Sequence, residues 1–249
     1  MSQYIAKPDL LRDRVILITG AGDGIGAAVA KDYARCGATV VLLGRTLKKL
    51  EKIYDDIVSS GGPEPAIYPM ELQMAQLKDY QLMAKTLDKE FGRLDGLLHN
   101  AAVLGTLTPI EHYDPRLWMH VMHVNVNAPF LLTKTCLPLL KKGRDASVIF
   151  TTANVGFHGQ AYWGAYAVSK AANINFMEIL AEELEVNTSI RVNCIDPGTV
   201  RTRMHTMAYP GKDPNDIPTP EEVTSVYLYL MGMDSAGVTG EKFSAQDYR

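Results

Sequence analysis

The sequence predicts a single α/β domain, a doubly wound parallel sheet with helices on both faces. Three features lead there. Short runs rich in Val, Ile and Leu alternate with segments of helical length. The first run opens directly into a glycine-rich turn. No linker, repeat or low-complexity stretch divides the 249 residues.

Strands are expected at residues 15–19, 39–43, 66–70, 94–98, 147–151 and 190–195, with a weaker one at 242–245. Each is short and apolar, as suits a strand covered on both faces. Helices are expected near 24–36, 46–59, 75–91, 115–141 and 166–185. Pro129 and Pro138 fall inside the fourth, where a missing N–H predicts a kink or an early end. Residues 198–220 hold Pro210, Pro214, Pro218 and Pro220 and read as a long loop. Loops of that length in compact domains are usually functional, so a substrate lid is expected there.

Composition narrows the function classes. The chain is 47% hydrophobic and 21% charged, too apolar for global disorder. Its 25 basic and 28 acidic residues leave no cationic excess for a nucleic acid. No apolar run reaches the roughly 18–20 residues that span a bilayer. The first residues lack the apolar centre of a secretory leader. Cys36, Cys136 and Cys194 form neither a CxxC pair nor a metal-ligand spacing. The expectation is a cytoplasmic protein with reduced thiols, no metal, and neither nucleic acid nor membrane as partner.

The glycine-rich turn runs Thr19-Gly20-Ala21-Gly22-Asp23-Gly24-Ile25-Gly26. Gly20, Gly24 and Gly26 permit a tight turn and close approach of a pyrophosphate, with Asp23 and Ile25 between them. The helix that follows offers free N–H groups and the positive end of its dipole. A Rossmann-type dinucleotide site follows from that context. The second strand ends in Gly44-Arg45, with no carboxylate to accept from a ribose 2′-hydroxyl. Arg45 suits a 2′-phosphate instead, which favours NADP. Asp23 places a negative charge nearby and counts toward NAD, the second choice.

Asn100 and Ala101 follow the fourth strand and should line the adenosine ribose side of the cleft. Tyr166 and Lys170 are i and i+4 on a helix and share a face. A neighbouring ammonium favours a phenolate, so Lys170 is expected to lower the pKa of Tyr166. His120 and His123 are i and i+3 with no third ligand, so no metal site is expected. His158, Gln160, Tyr162 and Trp163 are candidates to face a substrate.

Taken together, these elements resemble the short-chain dehydrogenase/reductase family over nearly the whole chain. The resemblance rests on Thr19-Gly20 with Gly24 and Gly26, Asn100-Ala101-Ala102, Asn125, Tyr166-x3-Lys170 and Pro197-Gly198, in order. It implies hydride transfer between a nicotinamide and a carbonyl or alcohol substrate, with Tyr166 as acid/base. It further implies that Lys170 binds the nicotinamide ribose and that Asn125 holds a water in a proton relay. Pro197, Gly198 and Thr199, with Thr202, would meet the carboxamide and phosphates. Glu71, after the third strand, would lie near the adenine. A homodimer or homotetramer is implied as well.

One position departs from the family pattern. The family's serine, thirteen positions before the tyrosine, is Ala153 here. Alternation along the strand predicts that Thr152 points away and that Thr151 points inward about 7 Å further back. Asn154 is adjacent. Losing one such donor costs on the order of 10²–10³ in rate. Three readings stay open: a working reductase, an attenuated dinucleotide-binding or regulatory protein, and an assembly protein without cofactor.

Overall fold

The computed structural model describes residues 4–248. Seven parallel strands form one sheet: β1 (Val15–Thr19), β2 (Thr39–Gly44), β3 (Ala66–Pro69), β4 (Gly96–His99), β5 (Ser147–Thr151), β6 (Arg191–Asp196) and β7 (Lys242–Ser244). Their spatial order is β3-β2-β1-β4-β5-β6-β7. The winding reverses between β1 and β4, and ligands bind such sheets at the carboxyl ends beside that switch.

Nine α-helices connect the strands among the described residues: α1 (Gly24–Arg35), α2 (Leu47–Ser59), α3 (Leu77–Phe91), α4 (Pro115–Met122), α5 (Ala128–Leu140), α6 (Asn154–Phe157), α7 (Gly164–Glu185), α8 (Arg203–Ala208) and α9 (Ser225–Met231). None is long and apolar enough to cross a membrane. Strand side chains alternate between two apolar layers. Ile16, Ile18, Val40, Leu42, Ile149 and Ile195 pack with α1 and α9. Leu17, Val41, Leu43, Val148, Phe150 and Cys194 pack with α3, α5 and α7.

Three expectations needed correction. Strand β4 begins at Gly96, because Leu94 N–H already bonds to the Leu139 carbonyl at 3.1 Å. The fourth helix ends at neither Pro129 nor Pro138, since α5 contains both. Instead α4 and α5 are joined by one π turn, His123–Asn127, where Ala128 N–H reaches the His123 carbonyl five residues back. Pro129 has no N–H for the Asn125 carbonyl, and Asn173 Nδ2 donates to that carbonyl at 2.9 Å. Residues 198–220 are not simply loop. Thr202 accepts from His205 N–H and caps α8, and Arg201 N–H to the Pro218 carbonyl, 2.7 Å, closes the base of the segment.

Candidate active site

A cleft of about 1590 Å³ opens at the carboxyl ends of the strands. That exceeds the roughly 300–1,000 Å³ usual for one small ligand, so a dinucleotide and a second molecule fit together. The expected residues Gly20, Asp23, Gly24, Ile25, Arg45, Glu71, Asn100, Ala101, Ala153, Tyr166, Lys170, Pro197, Gly198 and Thr199 all line it. Gly26 and Asn125 do not; both are buried behind its wall.

The glycine turn is built for close approach. Gly24 sits at φ +52°, where a side chain is strained. A Cβ on Gly26 would lie 2.3 Å from the Gly20 carbonyl oxygen, so only glycine lets α1 start this close to β1. Thr19 ties the floor together: its hydroxyl donates to the Leu98 carbonyl at 3.2 Å and accepts from Asn100 N–H at 2.9 Å and Ala101 N–H at 3.0 Å. These features fit the dinucleotide site expected from the sequence.

Asp23 caps α1, accepting from Gly24 N–H at 2.8 Å. Its charge does not stand alone against a phosphate, because Lys49 of α2 pairs with it. The Lys49 hydrogen bond leads in holding the Asp23 carboxyl below its ordinary pKa, and Arg203 adds to the effect. Arg45 and Lys49 both face the outer end of the cleft. Lys49 was missed in the sequence, although its place one turn after Arg45 was the available signal.

The inner end of the cleft belongs to α7. Lys170 is 3% exposed. Its Nζ donates to the Thr151 carbonyl at 2.7 Å and lies 5.4 Å from the Tyr166 ring centre. Burial pulls Lys170 down to about 8, while Asp196 pulls the other way. Tyr166 corrects the expected direction. Burial pushes its phenol above the ordinary value, and Asp196 adds to the rise.

Asp196, the last residue of β6, also escaped the sequence reading. Its carboxylate accepts from Gly198 N–H at 2.8 Å and from Asn154 N–H. Burial raises its pKa, and those N–H groups with Lys170 oppose the rise. An acidic residue immediately before Pro197-Gly198 was the legible hint.

The hydroxyls of Thr151, the last residue of β5, and of Thr152, just past it, are both engaged within the fold. The Thr151 hydroxyl, expected to point into the cleft, meets Tyr227 of α9 at 3.3 Å. The Thr152 hydroxyl turns instead toward the Lys170 carbonyl, 3.5 Å away. Ala153 heads α6 and has no side chain to cap it, and Asn154 is exposed beside it.

Asn125 spends its side chain on structure. Its Oδ1 accepts from Val103 N–H at 2.8 Å, and its Nδ2 donates to the Val103 carbonyl and to Ser169 Oγ, each at 2.9 Å. Its main-chain carbonyl, on the π turn, accepts from Asn173 Nδ2 at 2.9 Å. Gln160, Trp163, His120 and Thr202 line the cleft; His123, His158 and Tyr162 do not. Among the described residues, no cluster of His, Cys, Asp or Glu could hold a metal ion.

A family model described as short chain dehydrogenase matches residues 14–213. The uncharacterized oxidoreductase YciK of Escherichia coli is 46% identical over 99% of this chain and 97% of its own length. A short chain dehydrogenase structure from Pseudomonas syringae is 52% identical, with a TM-score of 0.96 over 98% of both chains. One from Shigella flexneri, solved in complex with NADP, is 45% identical with a TM-score of 0.94, over 96% of this chain and all of that one.

Proposed function

This chain belongs to the short chain dehydrogenase family, and from that premise we propose that it is an NADP(H)-dependent oxidoreductase acting on a carbonyl or alcohol substrate. The observation that carries the reading is the shared face of Tyr166 and Lys170 at the inner end of a cleft. The outer end of that cleft is the glycine turn with Arg45 and Lys49.

Arg45 offers a guanidinium fork to a 2′-phosphate, and Lys49 adds a second cation. The relative crystallised with NADP supports this choice. The N–H groups at the start of α1 would take the pyrophosphate, and Pro197, Gly198 and Thr199 would flank the nicotinamide. Glu71 and Asn100 border the adenosine half. When bound, the nicotinamide supplies or accepts the hydride. Tyr166, kept protonated by burial, donates its proton to the carbonyl oxygen in the reduction direction. Lys170, aimed by the Thr151 carbonyl, then stabilises the phenolate that results and holds the ribose. Asn125 fixes the Val103 wall and contributes its carbonyl to a proton relay.

Residues 198–220 act as the lid, with residues 203–218 as its mobile part. The chain works as a homodimer or homotetramer through the outer face of α5 and α7.

A second reading is favoured by one observation, Ala153, which leaves no hydroxyl where the family places its serine. There the protein binds the dinucleotide with attenuated chemistry. The deciding experiment is NADPH oxidation against ketones, aldehydes and quinones, with the native chain, Ala153→Ser and Tyr166→Phe side by side. Native turnover that Tyr166→Phe abolishes and Ala153→Ser barely changes supports the reductase. Turnover in Ala153→Ser alone supports the attenuated reading.

A further inference from the structure

Beyond Tyr166 the wall of the cleft is made of rings. Trp163, immediately before α7, has its ring centre 5.7 Å from that of Tyr166, at an interplanar angle of 49°. Tyr209, just past α8, lies 6.0 Å from Trp163 at 48°. His205, one turn earlier on α8, lies 5.1 Å from Tyr209 at 32°. All four line the same cleft, so a continuous aromatic band runs from the phenol of Tyr166 to the segment that covers the site.

Burial, with Lys212 nearby, depresses the proton affinity of His205, whose Nε2 is buried without a hydrogen-bond partner. Lys212 itself lies 5.4 Å from the Tyr209 ring centre. Met204 and Met207 of α8 line the cleft as well, and thioethers pack well against ring edges. The rings are tilted to one another by 32–49°. Aromatic pairs at such spacings are worth about 0.5–1.5 kcal/mol beyond the area they bury. A saturated chain of equal size collects only the area term.

We propose that the substrate is a carbonyl compound bearing a flat aromatic ring system, held by the band formed by Trp163, Tyr209 and His205. This rests on the reading of the chain as an NADP(H)-dependent carbonyl/alcohol oxidoreductase. In the reduction, the carbonyl carbon takes a hydride from the reduced nicotinamide and its π pair moves to oxygen. That oxygen takes the Tyr166 proton, which solvent later replaces. The products are an aryl carbinol and the oxidised cofactor.

The test compares 2-acetylnaphthalene with its ring-saturated counterpart on the NADP⁺-loaded protein by calorimetry, and on the NADPH-loaded protein by turnover. The naphthyl ketone should bind about 3- to 10-fold more tightly. Tyr209→Phe should keep that preference, and Tyr209→Leu should lose most of it. Equal binding, preference for the saturated ketone, a preference untouched by Tyr209→Leu, or no binding of either at millimolar concentration overturns the inference. Preferential binding of the naphthyl ketone without its reduction leaves ring recognition standing and removes the oxidoreductase reading instead.

Discussion

The ammonium of Lys170 donates a 2.7 Å hydrogen bond to the main-chain carbonyl of Thr151, the last residue of β5. A buried cation is thereby held by a dipole on the sheet, with Asp196 of β6 as the carboxylate that favours its charged form.

A pH dependence follows. Burial sets Lys170 at about 8, below its ordinary value. Its ammonium supports the phenolate left after proton donation, so kcat/KM should be full below about 8 and fall above it. The ionisable groups facing the pair are Tyr166 itself, Asp196 and Tyr227 of α9, and both tyrosines are held protonated by burial. Asp196→Asn removes the charge that favours the ammonium. The alkaline limb should then move to lower pH. A pH profile of kcat/KM with an unmoved limb would show that Asp196 does not serve Lys170.

Cofactor choice should depend on two cations. Arg45→Ala should weaken NADPH binding about 10- to 150-fold and leave NADH nearly unchanged, since one charge-assisted hydrogen bond is worth about 1.5–3 kcal/mol. Lys49→Ala should do the same and also expose Asp23 unpaired to the phosphate. Titration of both cofactors by fluorescence decides it. Equal losses for NADPH and NADH would remove Arg45 and Lys49 from the 2′-phosphate.

Gly26→Ala should disable the cofactor end. The added Cβ meets the Gly20 carbonyl at 2.3 Å and Asn100 Nδ2 at 2.6 Å. Overpacking of that kind costs typically about 1–3 kcal/mol. Thermal melts should show a lower Tm, and the rise in Tm on adding NADPH should shrink. A native-like melt with a full NADPH shift would contradict the packing described.

The outer face of α7 exposes Val168 and Ile179, three turns apart, at 45% and 47%, and Phe130 of α5 is 47% exposed as well. A second copy covering this face would bury all three. Val168→Glu should then reduce the mass seen by light scattering toward the 27.4 kDa of one chain. A native protein already at that mass would end the proposal of a homo-oligomer.

The order of strands and helices was legible because each element repeats a local pattern. The runs from Val15 to Thr19 and from Ser147 to Thr151 needed only apolar β-branched content and turn residues at their ends. The glycine turn, Arg45 and the Tyr166–Lys170 spacing were legible for the same reason, since all are short-range relations along the chain. What lies across the sheet was not. The sequence assigned Thr151 to the cleft and Thr152 away from it, but which side each faces depends on how β5 is placed between α7 and α9. The π turn at His123–Asn127 could not be read from Pro129 alone, because the donor that satisfies the Asn125 carbonyl is Asn173, on another helix. The direction of the Tyr166 shift was likewise beyond the sequence. The i, i+4 spacing reveals Lys170, but burial beneath the cleft wall and the carboxylate of Asp196 appear only when β6 is brought beside α7. Local periodicity and motif spacing determined the fold class, the glycine turn, Arg45 and the Tyr166–Lys170 pair. Burial, facing and counter-charge were decided by tertiary packing, because desolvation and hydrogen-bond partners are set by neighbours distant in the chain.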